Sequence, residues 1–432
     1  MTSPTSGEAS SFVTRTTTGA TSAVLFAVVA FAIYGAGVIY GTATGALPAR
    51  ETHFSYLADA FLGGRLDVDR AAAPWLTELV PHEGKWYVVY PPMPAVMMLP
   101  WVALFGAEVH TSWVSIVLAA CSVGLTFLLL RRTGHTPHAS RWATVVFGFG
   151  TCFWYTALKG SSWHFAHVVA VFFLLLALVE GFGKGRPLLT GLFLGMAALS
   201  RLPVAMAAPV FLYIVTRGRP NPVRRAVLLC AGIGVLMSIN GLYNWARYDT
   251  VLDVGYYRIP GVLEGFWYPW GIFDLRYVPR SLYAMFLQGP VFVTTFPFIV
   301  PSLVGLGMFF TTPAFLLMFL APANRLTYLA LSAAVLIAIP VLLHGGIGTT
   351  QFGSRFSLDF TPFLVLLTAQ GLRGAVSGRA KALVAVSVVV SLWGLGFASP
   401  VQPGWLGPDG MGREQPAPTR VPLVHGSSAS PR

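Results

Sequence analysis

Charged residues are scarce in this chain. They make up 10% of its 432 residues, whereas ordinary soluble domains carry about 25%. Hydrophobic residues make up 55%, and apolar segments near the roughly 20 residues needed to cross a bilayer recur from Ala20 to Ser399. This pattern excludes a soluble domain and predicts an all-α polytopic membrane protein with about eleven transmembrane helices.

Cysteine and acidic residues are also few. The three cysteines, Cys121, Cys152 and Cys230, all lie in apolar segments, which indicates small buried hydrophobes rather than disulfides or a metal site. Sixteen acidic residues against 28 basic ones leave a net charge of +12. Cytoplasmic loops of membrane proteins collect lysine and arginine. We therefore expect this positive charge to reflect association with the lipid bilayer, and we expect no nucleic-acid partner.

The distribution of basic residues predicts an orientation. With the N-terminus inside, Glu8 and Glu180 are the only acids in the inside segments. Basic residues recur at the inside turns, which include 131–141, 184–186, 217–225 and 373–381. The positive-inside rule therefore predicts a multi-pass protein of the plasma or inner membrane with a cytoplasmic N-terminus.

The predicted organisation has three parts: a disordered cytoplasmic N-terminus over 1–19, a transmembrane domain over 20–399, and a disordered Pro/Gly/Ser-rich tail over 400–432. The domain contains two long outer loops, 42–110 and 244–303. The predicted spans are 20–41, 111–130, 142–158, 164–181, 187–200, 203–215, 227–243, 304–320, 326–343, 360–372 and 382–398. Apolar stretches 91–105 and 281–301 are predicted as interfacial helices, because counting 91–105 as a span would invert every later loop.

With this topology the polar residues outside the spans gather on the outer face, where ionisable groups near membrane depth are functional candidates. The first outer loop holds Glu51, His53, Asp59, Arg65, Asp67 and Lys85. The later turns and loops hold His164, His167, Arg201, Arg247, Tyr256, Arg355 and Asp359.

Four motifs, in order along the chain, carry a resemblance to a known family. The first outer loop has Glu51-Thr-His53-Phe-Ser-Tyr56 and, later, Tyr90-Pro-Pro. The later loops have Asn244-Trp-Ala-Arg247-Tyr before Gly255-Tyr256, and Gly353-Ser-Arg355-Phe before Asp359 and Pro362. Over about 20–371 the chain resembles the GT-C superfamily of membrane glycosyltransferases, and within it the bacterial dolichyl-phosphate-mannose–protein mannosyltransferase-like (family 39) proteins. Relatives usually carry Asp, often Asp-Glu, where this chain has Glu51-Thr52.

The resemblance implies a GT-C-like fold and an inverting transfer of a sugar from a polyprenyl-phosphate donor to an envelope glycan, lipid or protein on the outer face. It implies Glu51 as the catalytic carboxylate, since a carboxylate can take the proton of an acceptor hydroxyl. Arginines such as Arg201 and Arg355 can clamp the leaving phosphate. The remaining candidates are predicted to contact substrate: His53, Asp59, Asp67, Lys85, His164, His167, Arg247, Tyr256 and Asp359.

Several alternatives stay open at this point. His164 and His167 could share a divalent metal ion on one helical turn, but two histidines make an incomplete site, and no cofactor is assigned. Trp267 and Tyr268 fit either a sugar platform or a membrane-interface belt. A lipid or sugar transporter or flippase is the rival function, although the sequence shows no inverted repeat. A catalytically degenerate relative is the other rival.

Overall fold

The computed structural model describes residues 6–45, 52–252, 254–294, 296–372 and 376–397. The candidate base Glu51 and the predicted tail 400–432 lie outside the described residues. Helix α1 (Ser6–Ala43) begins inside the segment for which disorder is predicted and continues through the first predicted span.

Long apolar helices dominate the structure, which confirms the prediction of a helical, multi-pass membrane protein. Within the described residues, six helices are long and apolar enough to cross a bilayer: α1, α4 (Thr111–Arg132), α7 (Ser162–Phe182), α10 (Pro222–Tyr248), α13 (Arg325–Leu343) and α15 (Gly378–Phe397). Shorter apolar helices include α3 (Met93–Phe105), α8 (Pro187–Ala198), α9 (Ala208–Thr216) and α14 (Thr361–Gly371).

Helices α4 and α7 form the centre of the bundle. In the most apolar 18-residue stretch of each helix, 72% of the residues of α4 and 83% of those of α7 are buried. The share is 28% in α1, α10, α13 and α15. Glycines allow the neighbouring helices α8 and α10 to touch along their backbones. A Cβ on Gly191 would lie 2.2 Å from Leu229 O, and one on Gly232 would lie 2.5 Å from Leu188 O. Such small-residue contacts are typical of helix pairs in membranes.

The segment predicted as the first outer loop is folded. It contains α2 (His53–Leu62), then the antiparallel hairpin of β1 (Leu79–His82) and β2 (Lys85–Val88), and then α3, which packs on α2. The turn residues Glu83 and Gly84 have φ of 47° and 74°, which suits a two-residue hairpin turn. Prolines at the start of α3 favour a helix N-terminus, and the helix expected over 91–105 is present.

The span predicted over 142–158 is two helices, α5 (Pro137–Phe149) and α6 (Phe153–Lys159). Side-chain bonding of Thr151 explains the break. Its hydroxyl donates to Phe147 O at 2.8 Å and accepts from Phe153 N at 3.2 Å. The hydroxyl thereby bonds the backbone on both sides of the break, and local competition of this kind disfavours a continuous helix.

The helix predicted over 281–301 is wrong in its second half. A short helix, α11 (Val278–Leu282), and a π-helical turn to Leu287 are followed by a hairpin of β3 (Val291–Phe292) and β4 (Ile299–Val300). β-branched residues and Pro290 and Pro297 disfavour helix here. The span predicted over 304–320 is likewise a short helix, α12 (Met308–Thr311), and a 3₁₀ helix that begins at Pro313.

Candidate active site

Two adjacent cavities lie where several helix ends meet: the start of α7, the segment after α8, the end of α13 and the segment before α14. The apolar cavity, of about 220 Å³, is lined mainly by apolar side chains and includes Arg201, Pro203, Tyr257, Phe273, Pro340 and Val341. The polar cavity, of about 380 Å³, includes Glu78, Lys159, His164, Trp267 and Tyr268. Both are lined by Trp163, Tyr256, His344, Arg355 and Phe356.

Arg201 reaches the apolar cavity from the connection between α8 and a 3₁₀ helix, Leu202–Ala207. Its extended backbone (φ −145°, ψ 100°) separates the two helices. Its Nε donates to Asp359 Oδ2 at 3.1 Å, and its guanidinium carbon lies 5.1 Å from the centre of the Phe356 ring. Among the residues that the structure describes, Arg201 donates through Nε only, so its two terminal amino groups are available to a ligand.

Arg355 begins a 3₁₀ helix, Arg355–Asp359, that leads into α14. Its Nη1 donates to Gln351 Oε1 at 2.9 Å and to Thr349 O at 3.1 Å. The guanidinium carbon is 5.2 Å from the same Phe356 ring that Arg201 contacts. Burial lowers the pKa of Arg355, which means that the surroundings disfavour its charge and that a bound anion would relieve the penalty.

Asp359 holds part of this arrangement in place. Its side chain is fully buried, with Oδ1 accepting from His167 Nδ1 at 2.7 Å and Oδ2 from Arg201 Nε. Burial alone would raise the pKa of Asp359, but the charge of Arg201 and the contact with His167 hold it below its ordinary value. An ionised Asp359 thus orients Arg201 toward the cavity.

Glu78 enters the polar cavity from the segment between α2 and β1. Its carboxylate accepts hydrogen bonds from the Tyr90 hydroxyl and from Trp163 Nε1. Glu78 has φ of 54°, a left-handed conformation that costs energy for a residue other than glycine and that clusters at functional sites. Sequence reasoning did not select Glu78, because nothing in its spacing distinguishes it from the other acids of the loop.

The three candidate histidines have different positions: His164 lines the polar cavity, His53 lies beside Glu78, and His167 bonds Asp359. His53, the first residue of α2, is buried and bonds Ser162 Oγ at 2.9 Å and Thr77 O at 2.6 Å, next to Glu78. His164 lines the polar cavity and bonds Ser161 Oγ through Nδ1 at 2.8 Å. His164 and His167 belong to no group of three close metal-type ligands among the described residues. His82, Glu83 and Asp249 form such a group elsewhere, at the protein surface.

Four candidates lie away from both cavities. Asp59 and Lys85 are exposed, and Asp67 pairs with Arg65 at 3.6 Å on the surface. Arg247 is 2% exposed and has a structural position. Its guanidinium donates to Val88 O and to Asn244 Oδ1, and lies 3.7 Å from the centre of the Tyr243 ring. It thereby ties α10 to β2.

No family model matches the sequence, and no curated protein matches it. Among solved structures, the chain is similar to the crystal structure of ArnT from Cupriavidus metallidurans bound to undecaprenyl phosphate, with a TM-score of 0.49 and 14% identity over 85% of this chain and 62% of that chain. For ArnT in the apo state the TM-score is 0.45, with 14% identity over 83% and 60%. This chain thus spans about three fifths of the ArnT chains.

Proposed function

We propose that this chain is an inverting membrane glycosyltransferase, which moves a sugar from a polyprenyl-phosphate donor to a cell-envelope acceptor on the extracytoplasmic face. The observation that carries the proposal is the convergence of Arg201 and Arg355 on one aromatic ring, at the junction of an apolar and a polar cavity. A lipid-linked sugar has the same three parts in the same order: a hydrocarbon chain, a phosphate and a hydroxyl-rich ring.

The apolar cavity suits the lipid end of such a donor. One of its walls is formed by Pro340 and Val341 of α13, a helix long enough to span the bilayer. Another is formed by Leu202 and Pro203, and Phe273 at its edge is half exposed. A prenyl chain could therefore lie against α13 while its phosphate reaches the arginines.

The two arginines suit the phosphate. Guanidinium groups bind phosphate oxygens through paired hydrogen bonds, and preorganised cations stabilise charge that develops on a leaving group. In the proposed step the acceptor oxygen bonds to C1 of the sugar as the C1–O bond to phosphate breaks. The bonding electrons leave with the polyprenyl phosphate, which Arg201 and Arg355 hold. The acceptor proton passes to a carboxylate, for which we keep Glu51 as the proposed base.

The proposed activity is tested by mass spectrometry of envelope glycans and lipid-linked sugars from cells with and without the gene. We expect one glycan to disappear and its lipid-linked donor to accumulate when the gene is removed. Unchanged glycans together with altered movement of lipids across the membrane would contradict transfer and support the flippase alternative.

The proposed orientation makes a separate prediction, because it places the hairpin β1–β2 outside and the turn between α4 and α5 inside. Lys85 is an exposed residue of the hairpin, and His138 is an exposed residue of the first turn of α5, next to the connection from α4. Each is replaced by cysteine in a background without Cys121, Cys152 and Cys230, and treated with a membrane-impermeant thiol reagent. We expect labelling at position 85 in intact cells and at position 138 only after permeabilisation. The reverse pattern would invert the topology.

A further inference from the structure

Glu78 has one carboxylate oxygen free for a ligand. Its Oε2 accepts from the Tyr90 hydroxyl and from Trp163 Nε1, the latter at 2.8 Å. Each oxygen of an ionised carboxylate has about two acceptor positions, so Oε2 is filled by these two donors. Within the part of the chain that the structure describes, no protein group donates to Oε1. Glu78 therefore presents a fixed acceptor to the polar cavity that it lines.

The donors that hold Glu78 are themselves fixed. Burial and the nearby Glu78 charge raise the pKa of Tyr90, so the Tyr90 hydroxyl keeps its proton and can donate. Trp163 Nε1 can only donate. The rings of both residues pack edge-on against His53, which bonds Thr77 O beside Glu78. A carboxylate held from several sides can select a ligand by geometry.

Other polar atoms around the cavity also lack partners among the described residues. His164 is 3% exposed and its Nε2 is buried without a hydrogen bond, and Arg355 is 8% exposed with an unpartnered Nε. Both residues line the polar cavity with Glu78. Buried polar groups are normally hydrogen-bonded, which points to a polar ligand between them.

The surroundings favour a neutral, hydroxyl-bearing ring over a cation. Lys159 and Arg355 line the same cavity and would repel a positively charged ligand group. Trp267 and Tyr268 add aromatic surface beside the carboxylate, and pockets of this kind combine apolar walls with a few placed polar groups. Sugars offer both an apolar face and hydroxyl donors.

We propose that Glu78 is a specificity-determining residue that accepts hydrogen bonds from hydroxyl groups of the donor sugar. The inference rests on the proposed function, since it takes the lipid-linked sugar as the ligand. A site built to bond a substrate hydroxyl discriminates strongly against an analogue that lacks it, because the buried acceptor is then left unpaired.

The test uses the full-length protein in lipid nanodiscs. The probes are polyprenyl-phosphate-linked mannose, glucose and galactose, the monodeoxy analogues of each, and polyprenyl phosphate without a sugar. We expect the unsubstituted protein to prefer one sugar over at least one of its deoxy analogues by about 10- to 100-fold in Kd, the range of a hydrogen bond to a charged group. Glu78→Gln should remove most of that preference and leave the Kd for polyprenyl phosphate unchanged.

Two further variants keep the result interpretable. Tyr90→Phe removes one bond to Glu78 and should reduce the same preference by a smaller factor, even if Glu78→Gln folds poorly. Glu83→Gln is the matched control, since Glu83 is an exposed glutamate with positive φ in the adjacent hairpin, and it should behave like the unsubstituted protein.

The outcomes separate the two proposals. Binding of polyprenyl phosphate with no discrimination between sugars and their deoxy analogues, or discrimination unchanged in Glu78→Gln, overturns the role of Glu78 and leaves the proposed function standing. An unchanged Kd with a lower kcat and a flattened pH profile in Glu78→Gln would make Glu78 the base instead, and overturns the inference. Failure to bind any lipid phosphate counts against the proposed function itself.

Discussion

Replacing Arg355 with lysine is expected to lower kcat/KM for sugar transfer by about 100- to 1,000-fold, the effect of removing one preorganised group that stabilises a developing anion. Lysine keeps the charge but loses the planar fork that binds two phosphate oxygens. The single ammonium of lysine also cannot make the bonds of Nη1 to Gln351 and Thr349 and bind a phosphate at the same time. Arg201→Lys should have a similar effect, because its Nε bond to Asp359 sets the direction of its amino groups.

The variants are compared in two measurements. One is the rate of transfer from the lipid donor that accumulates in cells lacking the gene, and the other is the binding of polyprenyl phosphate. Arg65→Lys is the matched control, since Arg65 lies on the same predicted face and pairs with Asp67 at the surface. Surface ion pairs of this kind contribute little to stability, so the Arg65→Lys protein should keep the activity of the unsubstituted protein. Near-normal turnover by both Arg355→Lys and Arg201→Lys, at normal levels in the membrane, would remove these residues from the phosphate site.

Asp359→Asn is expected to lower both thermal stability and activity. The substitution keeps the shape of the side chain but removes the charge that Arg201 and His167 share. Breaking one partner of a buried ion pair typically costs about 3–5 kcal/mol, and we expect the lower end because Arg201 is 24% exposed. Transfer should fall because Arg201 loses the contact that orients it.

Thermal unfolding in detergent and transfer rates together test this role. Asp274→Asn breaks a comparable Asp–Arg contact, with Arg276 at 2.8 Å, at a position exposed to solvent, and it should unfold at the temperature of the unsubstituted protein. An Asp359→Asn protein with normal unfolding temperature and normal transfer would show that Asp359 neither supports the fold nor positions Arg201.

The spans could be predicted because their signal is local. A bilayer-crossing helix needs only a long apolar segment, and α4 and α7 coincide with the predicted segments. Breaks within apolar segments were harder to predict. The division between α5 and α6 depends on the Thr151 side chain, and the hairpin β3–β4 depends on pairing of two short strands. Hydropathy does not record either feature.

The site was only partly predictable for a different reason. Arg201, Tyr256, Arg355 and His164 were selected as ionisable or motif residues near helix ends, and the structure brings them around two touching cavities. Asp59, Lys85 and Arg247 satisfied the same criteria, yet two are exposed and one is buried in a structural contact. Glu78 satisfied them no better than its neighbours. Its bonds to Tyr90 and Trp163 distinguish it.

Composition and segment length by themselves determined that this chain is a helical membrane protein, because the cost of placing charge and unpaired backbone in lipid acts on each segment separately. The location of the candidate site was decided only by tertiary structure. Which carboxylate faces a cavity depends on side chains that meet there from the segment between α2 and β1, from α7 and from the segment before α14. Burial and hydrogen-bond geometry at this site arise only when these separate segments pack together, so they cannot be predicted from any one segment.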